Sequence, residues 1–368
     1  MSIKRVIISG GGTGGHIYPA IAIANALQAE IPAIEILFVG AEGKMEMEKV
    51  PKAGYKIIGL PIVGINRQHL LKNLLFPFKL INSFSKAIKI VNDFKPDLAI
   101  GVGGYASGPL LIAASLKNIP FFIQEQNSFA GITNKFLAKK AKRIFVAYPH
   151  MDKFFPGEKI QLSGNPVRKD LIDISDKKEK AIQHFQLDPQ KKCILVIGGS
   201  QGARSINQAI AHSFGKLAAS DVQLIWQTGI HFEKEAKEIA SKYPNFNAYV
   251  AAFIYEMDLA YAAADLVCSR AGALSVSEIC LAGKPSILVP FPAAAEDHQT
   301  ENAKSLVKEH AAILIKDADA HKELVDDALK LIHQSEQLEK IGQAAKKLGK
   351  PNAAKEIAQK IIQSISTI

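Results

Sequence analysis

Cysteine is scarce in this chain: Cys193, Cys268 and Cys280 are the only three in 368 residues, an odd count with no C-x-x-C pair. That excludes a disulfide framework, and the apolar surroundings of Cys193 and Cys268 point to buried thiols in a reducing cytosol. No zinc-knuckle spacing or RNP-type aromatic pattern is present, which makes nucleic acid a poor partner despite the basic charge. H-E-x-x-H, G-x-S-x-G and Cys/His ligand sets are missing, and no Lys-Ser or Lys-Thr follows the first glycine run, so it is not a P-loop. The N-terminal apolar run is short and ends in glycines, so no signal peptide is expected. Long apolar runs are rare. Leu98–Leu116 carries no charge, but Gly101, Gly103, Gly104, Gly108 and Pro109 break it into strand, turn and helix rather than a membrane span. Acid is absent from one stretch altogether, Arg67 to Asn92.

What is present describes a globular protein of two domains. Hydrophobic residues make up 48% and charged residues 22%, in a chain too long for one ordinary core. The 45 Lys and Arg exceed the 35 Asp and Glu to leave +10, which points to anionic partners such as phosphates or an anionic membrane.

Two glycine loops follow apolar strands in separate halves. Arg5–Ser9 runs into Gly10-Gly11-Gly12-Thr13-Gly14-Gly15-His16, and Ile194–Ile197 runs into Gly198-Gly199-Ser200-Gln201-Gly202-Ala203-Arg204. Each precedes a helix-like segment, so each can aim backbone N–H groups and a helix dipole at negative charge. Two such loops predict two Rossmann-like domains facing across a cleft, with a phosphorylated ligand between them. Short apolar strands alternate with amphipathic segments in both halves, the pattern of parallel sheets covered on both faces. Expected strands are Val6–Ser9, Ile36–Val39, Tyr55–Leu60, Leu98–Val102, Phe121–Gln124 and Ile144–Ala147, then Ile194–Ile197, Gln223–Gln227, Leu266–Ser269, Ser286–Val289 and Ile313–Ile315. Leu162–Pro166 reads as the linker, dividing residues 1–163 from 164–350, and Asn352–Ile365 reads as a final helix after Pro351.

Several positions carry a chemical and a structural reading side by side. Gly10-x-Gly12-x-x-Gly15 fits a dinucleotide fingerprint with Glu42 as the ribose acid, or tight strand-to-helix packing. His16, at a helix start that favours neutral imidazole, is either a general base or a packed polar residue. Ser275 and Glu278 have capping-box spacing, while the Glu278 carboxylate also suits a ribose diol. Asp297-His298-Gln299 with Asn302 follows a strand end, where open α/β sheets bind ligands, but surface-loop polarity accounts for it too. Asp317-Ala318-Asp319 resembles a metal-binding D-x-D, yet sits in a late turn before a solvated acidic helix face. From Arg67 to Asn92, Arg67, Lys72, Lys79, Lys86 and Lys89 intersperse with bulky apolar residues around Pro77, as in an element lying on an anionic bilayer or in a helical flap packed on its domain.

With these residues in view, the chain resembles the MurG family of peripheral-membrane glycosyltransferases. The resemblance runs nearly end to end and rests on Gly11–His16, Gly101–Pro109, Glu125-Gln126-Asn127 with Ala130-Gly131, Gly164–Arg168, Gly198–Ala203, Ser269–Glu278 and Asp297-His298-Gln299. It implies an α/β protein of GT-B fold, with an acceptor-binding N-terminal domain rejoined by the last helix (351–368) and a donor-binding C-terminal domain. The implied reaction moves N-acetylglucosamine from UDP-N-acetylglucosamine to the muramoyl 4-hydroxyl of lipid I, with inversion, giving lipid II. By position, Ile254 meets the uracil, Glu278 the ribose, and Arg168 and Ser200 the diphosphate. Ala273, Leu274, Gln299 and Asn302 lie toward the donor sugar, Ser275, Val276 and Ser277 complete the donor set, and Thr13, Gly14, Gly15 and Asn127 line the N-terminal side. No metal or other cofactor is implied. The implied partners are the anionic cytoplasmic face of the bacterial inner membrane and other cell-wall synthesis proteins.

The residues agree with such a mechanism. N–H groups at a glycine loop can stabilise departing UDP, and His16 can take the hydroxyl proton. Two rivals stay open: another GT-B enzyme on UDP-N-acetylglucosamine, such as a 2-epimerase, and a non-catalytic nucleotide-sugar or membrane-binding protein.

Overall fold

The computed structural model describes residues 3–62, 76–167, 171–199, 202–294 and 297–366. They form two compact units, Met1–Val167 with Asn352–Ile368, and Arg168–Pro351.

The first unit runs β1 (Arg5–Ser9), α1 (Gly14–Glu30), β2 (Glu35–Ala41), α2 (Glu46–Lys52), β3 (Lys56–Leu60), α3 (Phe76–Phe94), β4 (Leu98–Gly101), α4 (Ser107–Leu116), β5 (Phe121–Glu125), α5 (Ile132–Leu137), β6 (Arg143–Val146) and β7 (Ile160–Leu162). The strands pair in parallel, in the order β3-β2-β1-β4-β5-β6-β7. Successive residues serve opposite faces: Ile7 packs with α3 and α4 residues such as Ala87, Val91 and Leu110, while Val6 and Ile8 pack with Ile17, Ile23 and Leu27 of α1. The last helix of the chain closes that second face with Ile357, Ile361 and Ile365. Their burial contributes about 1.5–3 kcal/mol each.

The expected linker is not a free tether. Leu162 belongs to β7, the Ser163 and Gly164 amides donate to the Val146 carbonyl, and buried Asn165 bonds Gln124 Nε2 and the Gln126 carbonyl at 3.0 Å each.

The second unit runs α6 (Lys178–Phe185), β8 (Lys192–Ile197), α7 (Arg204–His212), α8 (Phe214–Ala218), β9 (Val222–Gln227), α9 (Glu233–Ala240), β10 (Ala248–Ala251), α10 (Met257–Ala263), β11 (Leu266–Ser269), α11 (Ala273–Ala282), β12 (Ser286–Leu288), α12 (His298–Lys308), β13 (Ile313–Leu314), α13 (Ala320–Ile332) and α14 (Ser335–Leu348); α15 (Ala353–Ser366) returns to the first unit. Its parallel sheet has the order β10-β9-β8-β11-β12-β13. Ile194, Val196 and Trp226 pack on one face against α7 and α13. The three cysteines are buried thiols; burial pushes Cys193 far above the usual thiol range, and Cys268 and Cys280 up to about 12.

In both sheets the first strand, β1 or β8, lies between the strand it leads to and the one after the crossover, β4 or β11. The order reverses there, opening a crevice at the strands' carboxyl ends. Both glycine loops fall at such a point. Among the described residues, no helix is long and apolar enough to cross a membrane.

Candidate active site

In the first unit the loop after β1 ends at Thr13, the extended N-cap of α1. Its hydroxyl lies 3.3 Å from His16 Nδ1, and its carbonyl accepts the His16 and Ile17 amides. The β4–α4 loop packs directly on this one. Gly103 (φ +95°) and Gly104 (φ +86°) adopt left-handed conformations, and a methyl at Gly103 would sit 2.8 Å from His16 Nε2. At Gly104 it would enter the Gly11 backbone. Buried Ser107 ties the two loops by donating to the Ser9 and Gly103 carbonyls, at 3.0 and 2.8 Å.

Two buried carboxylates brace loops at this edge of the sheet, Glu46 the β1–α1 loop and Glu125 the β5–α5 loop. Glu46, at the start of α2, accepts the Gly12 and Ala41 amides at 2.9 Å each. The Gly12 N–H is therefore committed within the chain, so it is not among the amides this loop can aim at a ligand. Glu125, at the end of β5, accepts the Asn127 and Gly131 amides at 3.1 Å each and Asn134 Nδ2 at 2.8 Å. Burial pushes its carboxyl up, against the lowering effect of those hydrogen bonds. Asn127 is fixed through both its amide and its side chain, whose Nδ2 is 3.4 Å from Glu125 Oε1. Thr13, the first residues of α1 (Gly14, Gly15 and His16) and Asn127 thus lie at the carboxyl edge of one sheet. Glu42, the ribose acid of the dinucleotide reading, instead pairs with Lys86 of α3 at 2.8 Å.

In the second unit, Gly199 (φ +79°) and Gly202 (φ +76°) shape the loop into α7, and a methyl at Gly202 would strike the Thr228 carbonyl. Arg168 and Ser200 lie outside the described residues. Gln227, ending β9, donates to the Gly199 carbonyl at 3.1 Å and accepts the Ile254 amide at 3.0 Å. One amide side chain thus couples the glycine loop to buried Ile254.

The start of α11 corrects the capping-box reading. Gly272 is the N-cap, extended at φ −64° and ψ 145°, and its carbonyl accepts the Val276 amide. Ala273, Leu274 and Ser275 form the first turn, and Ser277 Oγ donates back to the Ala273 carbonyl at 2.8 Å. Ser275 therefore cannot be the cap, and Glu278 lies a full turn in, accepting the Tyr261 hydroxyl at 3.2 Å. Asn302, fully buried, donates to the Ala271 carbonyl at 3.2 Å, and Gln299 Oε1 accepts the Phe291 amide at 3.0 Å. Both polar residues of α12 brace loops at the sheet's carboxyl edge, so they are more than surface-loop polarity.

Asp317 is engaged with cationic Arg270, which also donates to the Val289 and Pro290 carbonyls and to Ser205 Oγ. This ion pair joins β11, β12, β13 and the first turn of α7. Among the described residues, no group of three or more His, Cys, Asp or Glu is placed to hold a metal ion. Glu46, Gln227 and Tyr261 are residues that motif spacing did not single out, and neither the D-x-D spacing nor the Ser269–Glu278 motif indicated that Asp317 pairs with Arg270. Glu46 and Gln227 carry only the signal of a polar side chain at a helix start or a strand end, and Tyr261, inside α10, carries none.

Helix α3 divides along its length. Ala87, Ile90 and Val91 are core, with Phe84 and Ile88 packed against it, whereas Phe78 is 71% and Ile81 64% exposed. Helix α3 packs on α4, and α4 on α5, where Ile132 and Phe136 are also exposed beside Lys139 and Lys140. Residues 67–75 of the basic stretch lie outside the described residues.

Comparison with known proteins agrees with this architecture. A model of the glycosyltransferase family 28 N-terminal domain matches residues 6–146, and one of the family 28 C-terminal domain matches residues 193–359. A relative from Parabacteroides distasonis is 54% identical over 361 residues, 98% of either chain, and one from Flavobacterium psychrophilum is 50% identical over 100% of this chain and 99% of its own. Both carry the name UDP-N-acetylglucosamine--N-acetylmuramyl-(pentapeptide) pyrophosphoryl-undecaprenol N-acetylglucosamine transferase. The crystal structure of Acinetobacter baumannii MurG superposes with a TM-score of 0.79 at 29% identity, covering 98% of this chain and 99% of that one. A UDP-GlcNAc 2-epimerase from Neisseria meningitidis, at 16% identity and a TM-score of 0.68, shares the fold alone. Two Rossmann-type units with a glycine loop at each switch point, matched end to end by these relatives, make this chain a GT-B protein of the MurG family of glycosyltransferases.

Proposed function

We propose that this protein transfers N-acetylglucosamine from UDP-N-acetylglucosamine to the N-acetylmuramoyl unit of lipid I, giving lipid II for peptidoglycan synthesis. The observation that carries this is identity of 50–54% over nearly the whole chain to relatives named for that transfer.

The second unit is read as the donor side. Ile254, set by Gln227, lies at the uracil. Glu278 takes the ribose, whose hydroxyls suit a carboxylate's two oxygens. Arg168, Ser200 and the glycine loop take the diphosphate. The amides of Ala273, Leu274 and Ser275, with Val276 and Ser277 behind them, give the α11 N-terminus a favourable field for anionic donor groups. Gln299 and Asn302 hold the loops around the sugar.

The first unit is read as the acceptor side, with Thr13, Gly14, Gly15 and Asn127 around His16. The acceptor oxygen forms a bond to the anomeric carbon as the carbon–oxygen bond to UDP breaks, and UDP leaves with the electron pair. The hydroxyl proton passes to His16. For Nε2 to accept it, Nδ1 must carry hydrogen, and the Thr13 hydroxyl at 3.3 Å is placed to receive that bond. Gly103 keeps a side chain off Nε2.

Peripheral attachment to an anionic bilayer, on the cytoplasmic side of the inner membrane, fits this acceptor. The exposed Phe78, Ile81, Ile132 and Phe136 with neighbouring lysines support it, since apolar insertion and basic charge act together at such surfaces. The deciding experiment is incubation with labelled UDP-N-acetylglucosamine and either lipid I or bare undecaprenyl phosphate. Label should enter lipid I; label on the bare phosphate, or on neither, defeats the proposal.

A further inference from the structure

We propose that Glu46 is a positioning residue for the N-terminal glycine loop, and through it for His16. This rests on the acceptor-side reading above. Glu46 lies in α2, outside the glycine motifs, yet its side chain is fully buried directly under the loop. One carboxylate oxygen accepts the Gly12 amide and the other the Ala41 amide at the end of β2. Its stem and carboxyl fill the space that side chains on Gly11 and Gly40 would occupy. The glycines thus serve in part to admit an internal carboxylate.

The chemistry of that arrangement is specific. In a dinucleotide-binding loop the amides after the first strand meet an outside phosphate. Here the Gly12 amide is already paired with an anion from the chain itself, so this loop is held in its working shape before any substrate arrives. Gly11 in turn abuts Gly104, and neighbouring Gly103 lies against the His16 ring, so a shift at Gly12 passes to the ring through backbone contacts. A neutral amide cannot replace the carboxylate, because its NH2 would face one of the two backbone N–H donors.

The test compares wild type, Glu46→Gln and Glu46→Asp as full chains, with steady-state kinetics on UDP-N-acetylglucosamine and lipid I, UDP titration, and peptide-resolved hydrogen exchange. Wild-type turnover of lipid I is the control for the underlying reading; without it that reading fails, whatever the variants do. Given an active wild type, E46Q should lower kcat about 10²-fold, the scale of an ångström-level misplacement. UDP affinity should stay within about twofold, since the loss of a single positioned contact elsewhere leaves the donor contacts in place. Exchange should quicken in the peptide spanning residues 10–17 while β1 and β2 stay protected. E46D, which keeps the charge with shorter reach, should recover part of kcat. Unchanged kcat and unchanged loop exchange in E46Q overturn the proposal. So does loss of protection across the whole first unit in both variants, with activity falling only as the folded fraction falls, for then Glu46 serves stability alone. If E46Q does not fold, Gly11→Ala displaces the same carboxylate from the other side and is read by the same exchange and kcat criteria.

Discussion

Replacing Glu278 by Gln separates recognition from stability. Motif spacing makes Glu278 half of a capping box, in which case its loss would loosen α11. With Gly272 at the N-cap and Glu278 a turn inside the helix, no cap depends on it. Gln keeps an oxygen able to accept the Tyr261 hydroxyl, so that contact survives. What it loses is the charge behind a hydrogen bond to a ribose hydroxyl, worth about 1.5–3 kcal/mol. At about 1.4 kcal/mol per decade, the UDP dissociation constant should rise roughly 10- to 150-fold. Calorimetric titration with UDP reads this directly, and thermal melting should be shifted by no more than a degree or two, consistent with about 0.5 kcal/mol at a partly buried site whose hydroxyl contact is kept. Tyr261→Phe removes the partner hydroxyl without touching the carboxylate and should weaken UDP far less. UDP affinity unchanged in E278Q, or a clear drop in melting temperature, refutes the reasoning.

Three further outcomes follow from the same geometry. His16→Ala should cut turnover by about 10²–10⁴-fold at unaltered UDP affinity, and His16→Asn should be as slow, since it hydrogen-bonds but takes no proton; wild-type rates in the Asn variant would end its role as base. Phe78, Ile81 and Phe136 changed together to Ser should weaken sedimentation with anionic vesicles while UDP binding holds, and unaltered sedimentation would remove this face from membrane contact. Lys284 is held by the Ala264 carbonyl at 2.8 Å, and burial lowers its amine to about 8. Because the unfolded chain keeps that proton up to its ordinary value near 10.5, the penalty is fully present below pH 8. It is relieved as pH rises from about 8 to 10.5, by up to about 3 kcal/mol. Urea unfolding of wild type against Lys284→Met should show that relative gain; a constant difference across this range would contradict it.

Much of the fold was legible from residue order alone, because near-continuous apolar strands such as Ile194–Ile197 can only be buried on both faces. Both glycine loops and the final helix lie where the apolar periodicity and the glycines put them. The two strands missed, Ile160–Leu162 and Ala248–Ala251, are short edge strands that are only partly buried, so they carry a weak pattern. Family motifs singled out His16, Asn127 and the α11 segment as candidates. The sheet order was beyond periodicity, because it depends on which crossover lands beside β1 or β8. So was everything that order brings together: Glu46 beneath Gly11, Gln227 between Gly199 and Ile254, and Arg270 on Asp317. By itself the sequence determined which segments must be buried and where the backbone needs glycine, both local consequences of side-chain chemistry. Which polar residue is buried, and against which amide, was decided only by the tertiary structure, because a carboxylate in a charged stretch looks solvated until packing removes its water and supplies its donors.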